Sequence, residues 1–333
     1  MTRTYLADLN EALHGLLADD ARVVMLGEDL ADPYGGAFKV SKGLSSAFPG
    51  RVVSTPISEA GITGAAAGMA IRGLRPIVEI MFGDFLTLCA DQLVNHICKF
   101  SGMYPGVTVP LVLRTPMGGG RGYGATHSQT IEKMFLGVPS LHVVAPSHAH
   151  APGSLLRHAT LVDDSPVLFI ENKLLYPLPL VDGRGRLNTE MLEEIPGYPT
   201  AVVSNFSGGK PDVTLIAYGG TSRLILPLME RYCDEEINVC CVLPSSLRPV
   251  PIRTLAGAVH KGVPVIVVEE GTAGFNWGSE IAALLYEHAF ERLARPIRRL
   301  ASDDSIIPSA GKLEDAVLIT ESKIEQAILE VLA

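Results

Sequence analysis

The sequence has few charges and none of the short signatures of the common nucleotide and hydrolase sites. Only 19% of its 333 residues are Asp, Glu, Lys or Arg, below the usual share of about 25%. It has no run of about 18 uncharged apolar residues, so a membrane span is not expected; the most apolar stretch, 60–82, is broken by Arg72, Arg75 and Glu79. No GxxxxGK precedes a Ser or Thr, so there is no P-loop. No GxGxxG follows a first strand, and no GxSxG is present, so nicotinamide and nucleophile-elbow chemistry lose their markers. No CxxC occurs. The five cysteines, Cys89, Cys98, Cys233, Cys240 and Cys241, fit no zinc spacing and read as reduced, buried thiols. No block of five like charges occurs, and the net charge of −9 argues against a basic nucleic-acid face. The N-terminal MTRTYLADLNEALHG lacks a signal-peptide apolar core, so a cytoplasmic protein is expected.

Apolar residues are abundant instead. They make up 47% of the chain, and the mean hydropathy is +0.27. That excludes disorder as the main state, and the length suggests about two domains. The surplus of apolar surface is expected to lie in subunit contacts of obligate size.

Short apolar strands alternate with helices. Residues 5–17 read as an amphipathic helix, followed by strands at 22–26, 51–54, 76–80, 110–114, 141–145 and 167–170. Helices are expected over 60–71, 86–100, 127–136 and 152–162. Residues 181–211 break the rhythm with turn signals and read as a linker that can hold a hairpin. The alternation restarts with strands at 213–218, 238–243, 264–269 and 296–300, and with helices at 222–233, 252–260 and 277–288. A terminal helix is capped by Ser322 and Glu325. The fold class is therefore α/β: two three-layer domains with parallel sheets, at 1–182 and 212–333, joined by a linker at 183–211.

Three segments stand out chemically. Gly118 to Gly124 holds five glycines in seven residues and reads as either a phosphate cradle or a flexible lid. Thr126 and Gln129 fit a capping box, which puts His127 in a first helical turn. There the positive helix end favours neutral imidazole, suited to proton exchange with a substrate, although a lone histidine is more often structural. Glu59 opens a helix whose Gly61, Gly64 and Gly68 leave it nearly bare, so another backbone or a flat ligand can approach closely. A helix-start charge alone explains Glu59 almost as well. The pair His148 and His150, after Pro146, reads as a surface turn rather than a metal site, since further ligands are missing. Phe82 and Phe85 are by default core residues.

The runs TPISEAGITGAAAGMAIRGLRP, EIMFGDFLTLCADQLVN, PLVLRTPMGGG and THSQ, in this order, resemble the beta subunit of the decarboxylating component of 2-oxo acid dehydrogenase complexes. The likeness starts at GEDLADPYGGAFKVSKGL and continues more loosely through DVTLIAYGG and VIVVEEGTAGFNWGSEIA. It implies thiamine diphosphate, with a pyrimidine-binding domain followed by a transketolase C-terminal-like domain. By the resemblance, Glu59 is the acid on the aminopyrimidine ring. Phe85 is the aromatic stacked near it, and Ile57 and Met81 line the same pocket. His127 is the histidine that moves a proton during acyl transfer. A monovalent-cation site, filled by potassium, would fall on Leu111, Thr160, Asp163 and Ser165. The family holds diphosphate and magnesium with a Gly-Asp-Gly motif on an alpha subunit. This chain has none, and Asp84 stands in Gly-Asp-Phe. An alpha2beta2 heterotetramer is therefore implied, with a lipoyl-bearing acyltransferase or an acyl carrier protein as acceptor. Family members usually carry an aspartate before Leu-Arg in the second half, where this chain reads VCCVLPSSLRPVP. The alternatives are the C-terminal half of a split transketolase that moves two-carbon units, and a non-catalytic scaffold.

Overall fold

The computed structural model describes residues 3–181 and 185–333. The first half runs α1 (Tyr5–Asp19), β1 (Val23–Gly27), α2 (Leu44–Ala47), β2 (Val52–Ser54), α3 (Glu59–Ile71), β3 (Arg75–Glu79), α4 (Cys98–Met103), β4 (Val112–Met117), β5 (His142–Val144), α5 (Pro152–Leu161) and β6 (Val167–Asn172). The second half runs β7 (Asn188–Ile195), β8 (Tyr198–Ser204), β9 (Val213–Ala217), α6 (Ser222–Tyr232), β10 (Val239–Pro244), β11 (Ser246–Arg248), α7 (Ile252–Gly257), β12 (Val265–Thr272), α8 (Trp277–Ala289), β13 (Arg298–Ser302), α9 (Gly311–Val317) and α10 (Glu321–Leu332).

Two sheets result, ordered β11-β5-β6-β4-β3-β1-β2 and β13-β12-β9-β10-β8-β7. The α/β class holds, but neither sheet is wholly parallel. In the first, β11 comes from the second half and pairs antiparallel with β5. In the second, β8 runs antiparallel to β10, and β7 to β8. The stretch read as a linker thus carries the expected hairpin, hydrogen-bonded to the second sheet. Its start at 182–183 falls outside the described residues.

α1 forms where its leucines recur on one face. Leu9, Leu13, Leu16 and Leu17 are buried, and Thr4 caps the helix by accepting from the Ala7 N–H at 3.2 Å. Three expectations fail locally. Residues 86–100 are not one helix: a 3-10 segment at Gly83–Cys89 leads through a π segment at Gln92–Ile97 into α4. No α-helix spans 127–136, where only Glu132–Met134 makes a 3-10 turn. The last helix starts two residues earlier than expected, with Thr320 accepting from the Lys323 N–H at 3.3 Å.

One hydrophobic core joins the halves. Leu113, Leu141 and Val143 share it with Ile216, Val242, Val267 and Trp277. Polar groups cross the same seam. The Tyr218 hydroxyl donates to Glu132, and its ring lies 4.9 Å from that of Trp277. Lys133 Nζ donates to the Thr272 and Gly274 carbonyls, each at 3.0 Å. Beside that seam, within the second half, Glu269 accepts from the Gly278 N–H at 3.0 Å. Burial raises the pKa of Glu269 to about 8.

The sign follows from linkage. The folded chain keeps the Glu269 proton where the unfolded chain has lost it, so this group makes stability fall as pH rises from about 5 to about 8, by up to roughly 4 kcal/mol. Glu269→Gln is expected to flatten that fall, read as urea midpoints against pH. Parallel profiles for variant and wild type would refute the assignment.

Candidate active site at the carboxyl ends of the first sheet

β3, β4 and β6 are parallel neighbours, and the loops leaving their carboxyl ends are where open α/β sheets bind ligands. A buried ion network ties these ends together. Arg114 on β4 donates from Nε and Nη2 to Glu171 on β6, at 2.8 and 2.6 Å, and from Nη1 to Glu79 on β3. Ser41 donates to Glu79 at 2.6 Å, and the Tyr176 hydroxyl to Glu171 at 2.7 Å. Burial raises the Glu79 pKa against the pull of Arg114. Burial opposes the guanidinium charge too, but Glu171 and Glu79 outweigh it and hold the Arg114 pKa above its ordinary value.

The chain leaving β3 carries Met81, Phe82, Asp84 and Phe85, and the chain leaving β4 returns with His127. The His127 ring stands edge-on to Phe82, with centroids 4.7 Å apart, and to Phe85 at 5.3 Å. The two phenylalanines read as default core residues are only part-buried and face the histidine. Asp84 accepts from Gln129 Nε2 at 2.7 Å, and Lys173 Nζ donates to the His127 carbonyl. These contacts explain the missing helix. The groups of 127–129 that a helical first turn would use are satisfied from outside, and His127 sits in a turn. The helix-end argument for its protonation therefore loses its basis; Thr126 Oγ1 lies 3.0 Å from its Nδ1 instead.

The glycine loop does not present a free cradle. Its Gly119 N–H donates to Glu270 at 2.7 Å, and the Gly120 and Gly122 N–H groups to the two oxygens of Glu314, each at 2.9 Å. Both carboxylates come from the second half, and Asn172 Nδ2 adds a bond to Glu270 at 2.8 Å. Gly118 has φ +97°, and a Cβ there would sit 2.5 Å from Asn172 Nδ2.

Glu59 is buried in the first turn of α3, which packs against the 83–89 segment carrying Phe85. Burial first, and the Glu59 charge second, raise the pKa of the neighbouring Glu28. Around them Glu28 Oε1, Thr63 Oγ1, Thr55 Oγ1 and Gln92 Oε1 are buried with no hydrogen-bond partner among the described residues. Buried polar atoms are rarely left so; a polar ligand or a partner chain would satisfy them. Gly61, Gly64, Ala65 and Gly68 leave α3 exposed beside them, and Ile57 is 82% exposed.

The four residues expected at a cation site lie together near the start of β4 and the end of α5, but much of their donor set is engaged. The Leu111 carbonyl accepts from Val167, and the Asp163 carbonyl from Arg75. The Asp163 carboxylate faces His142, Tyr198 and the Ser165 N–H, and Thr160 Oγ1 donates to Leu156. His148 and His150 are buried rather than on a surface turn, 2.8 Å from Ser222 and Ser147 respectively. Burial lowers each histidine pKa to about 4. No cluster of three or more His, Cys, Asp or Glu suited to a metal occurs among the described residues, and no helix there is long and apolar enough to cross a membrane.

Residues 2–179 match the pyrimidine-binding domain of transketolase, and residues 205–324 the transketolase C-terminal domain. The chain is 35% identical to the mitochondrial pyruvate dehydrogenase E1 component subunit beta of Dictyostelium discoideum, covering 98% of this chain and 92% of that one. This chain is a member of the E1 beta-subunit family. It is also 34% identical to the acetoin:2,6-dichlorophenolindophenol oxidoreductase subunit beta of Bacillus subtilis, covering 97% and 95% of the two chains. A solved split-gene transketolase in an inactive beta4 tetramer shares the fold, with a TM-score of 0.71 at 20% identity over 100% of this chain and 99% of that one. The transketolase-type domains and E1 relatives imply thiamine diphosphate and an alpha-subunit partner.

Arg114, Glu171, Lys173, Glu270 and Glu314 were not legible as site residues. The available signal was a charge inside or at the end of an apolar strand, as in PLVLR and VLFIENK, which implies a buried partner. Glu314 is expected to hold the glycine loop shut, because bonds to a charged acceptor contribute about 1.5–3 kcal/mol each. Glu314→Gln should speed tryptic cleavage after the exposed Arg121 by about tenfold or more; an unchanged rate would show that the loop is held elsewhere.

Proposed function

We propose that this chain is the beta subunit of an alpha2beta2, thiamine diphosphate-dependent 2-oxo acid dehydrogenase component, which decarboxylates a 2-oxo acid and passes the acyl group to a lipoyl or acyl-carrier thiol. The observation that carries this reading is the buried Glu59 at a helix start, ringed by polar atoms without partners, in a chain that matches E1 beta subunits along its whole length. Those residues fit the polar edge of an aminopyrimidine.

Thiamine diphosphate, when bound, supplies the nucleophilic carbon and the electron sink for decarboxylation. Glu59 holds the proton shared with the pyrimidine ring nitrogen, and a dry setting suits that task. Phe85 would stack near the pyrimidine, with Ile57 and Met81 lining the same pocket. His127, edge-on to Phe82 and Phe85, moves a proton at the acyl acceptor. Diphosphate and magnesium fall to the alpha subunit, since this chain has no Gly-Asp-Gly. A potassium ion on Leu111, Thr160, Asp163 and Ser165 is a separate element of the proposal, and no step depends on it because the Asp163 oxygens already have protein partners. A cytoplasmic location belongs to the same reading.

The test uses the chain co-purified with its alpha partner. Dye-linked decarboxylation across a panel of 2-oxo acids is expected for wild type, with Glu59→Gln lower by about 10²-fold or more. Near-wild-type turnover by the variant would remove Glu59 from the mechanism. Turnover of ketose phosphates in place of 2-oxo acids would assign the chain to two-carbon transfer.

A further inference from the structure

Lys173 follows β6 and is fully buried. Its Nζ donates to the His127 carbonyl and lies 5.2 Å from the ring centroid of Phe82 and 5.6 Å from that of Tyr123. The charged groups that act on it are Asp84, Glu270 and Glu314, which favour its charge, and Arg121, which opposes it. None of the three carboxylates makes a salt bridge with it, although Asp84 Oδ2 has no hydrogen-bond partner among the described residues. Asp84 holds Gln129, Glu270 holds Gly119 and Asn172, and Glu314 holds Gly120 and Gly122. All three therefore grip the loop from Gly119 to Gln129, mostly through its amides, while Lys173 grips the same loop by a carbonyl. The two aromatic rings beside its Nζ make a setting that favours a cation over a neutral amine.

We propose that Lys173 is the positioning residue of the His127 turn, its ammonium fixing the backbone so that the imidazole stands edge-on to Phe82 and Phe85. This rests on the functional reading above for what His127 does, but not for how it is held.

The geometry has a pH signature. Burial lowers the Lys173 pKa to about 8, so the ammonium discharges just above neutrality, where an exposed lysine does not. A charge-assisted bond is roughly twice as strong as a neutral one, so the grip on His127 weakens across that range. The same shift separates positioning from a merely structural role. A lysine whose folded pKa lies below its unfolded value costs stability at pH 7; relief of that cost offsets the lost bond to the His127 carbonyl, so removing the charge should not lower the melting temperature.

The experiment compares wild type, Lys173→Met and Lys173→Arg in the assembled alpha–beta complex. Hydrogen exchange over residues 124–130 should quicken about tenfold in Lys173→Met, one tenfold step per 1.4 kcal/mol of lost restraint, with Tm at pH 7 equal to or above wild type. Acyl transfer to a lipoyl acceptor should fall by about tenfold more than dye-linked decarboxylation does. Wild type should lose transfer with an alkaline limb near pH 8, and Lys173→Arg should keep transfer and move that limb upward. Unchanged exchange in Lys173→Met overturns the proposal, as does an equal loss of both activities together with a lowered Tm. A wild-type complex inactive on every 2-oxo acid would overturn the functional reading alone, and the exchange and Tm measurements would still decide for or against Lys173.

Discussion

A guanidinium kept dry between two glutamates organises the centre of this molecule. Arg114 spans β3, β4 and β6, and Ser41 and Tyr176 occupy further acceptor sites on Glu79 and Glu171. Out of water such groups attract strongly, and losing one partner of a buried pair costs about 3–5 kcal/mol because the other charge is left uncompensated. The strands are thereby fixed in register next to the points where the chain turns out to Met81–Phe85, to the glycine loop and to Lys173. A buried ion pair adds less to stability than its geometry suggests; here its effect is to hold three loop origins level, which the meeting of His127 with Phe82 and Phe85 requires.

The second constraint is that the site needs both halves of the chain. The glycine loop leaves β4, yet its N–H groups end on Glu270 and Glu314 from the second half. Glycine suits the loop because four of its residues, Gly118, Gly120, Gly122 and Gly124, have positive φ. The loop is thus a strap between the halves, held by charge and packed beneath Leu318 and Ser309. With β11 added to the first sheet and one core running through both halves, the C-terminal half supports the histidine turn as well as completing the fold.

Much of the fold follows from periodicity. The leucines of α1, the short apolar strands and the bare helix at Glu59 all form where their patterns require. Glu59, Phe85 and His127 were proposed through the family resemblance, which groups residues that no spacing rule connects; the structure brings Phe85 and His127 edge to face and buries Glu59. What stayed hidden depended on tertiary partners. Thr126 and Gln129 do form a capping pattern, but Asp84 captures Gln129 and Lys173 captures the His127 carbonyl, so the helix never starts. His148 and His150 look like a surface turn because a linear sequence does not show Ser222 approaching across the seam. The charges of Arg114 and Glu171 were visible in apolar runs; their pairing was not.

Beside Glu59 the surface is unfinished. Val53, Ile57, Ile71 and Leu88 are exposed, α3 shows its glycines, and buried oxygens lack partners. The proposed cofactor pocket, with its other wall on an alpha subunit, would account for both the apolar surplus of the sequence and these orphaned atoms. Calorimetric titration with thiamine diphosphate and magnesium, on this chain alone and on the chain with its alpha partner, tests that most directly. Saturable binding is expected only when both chains are present, whereas saturable binding by this chain alone would contradict a shared site.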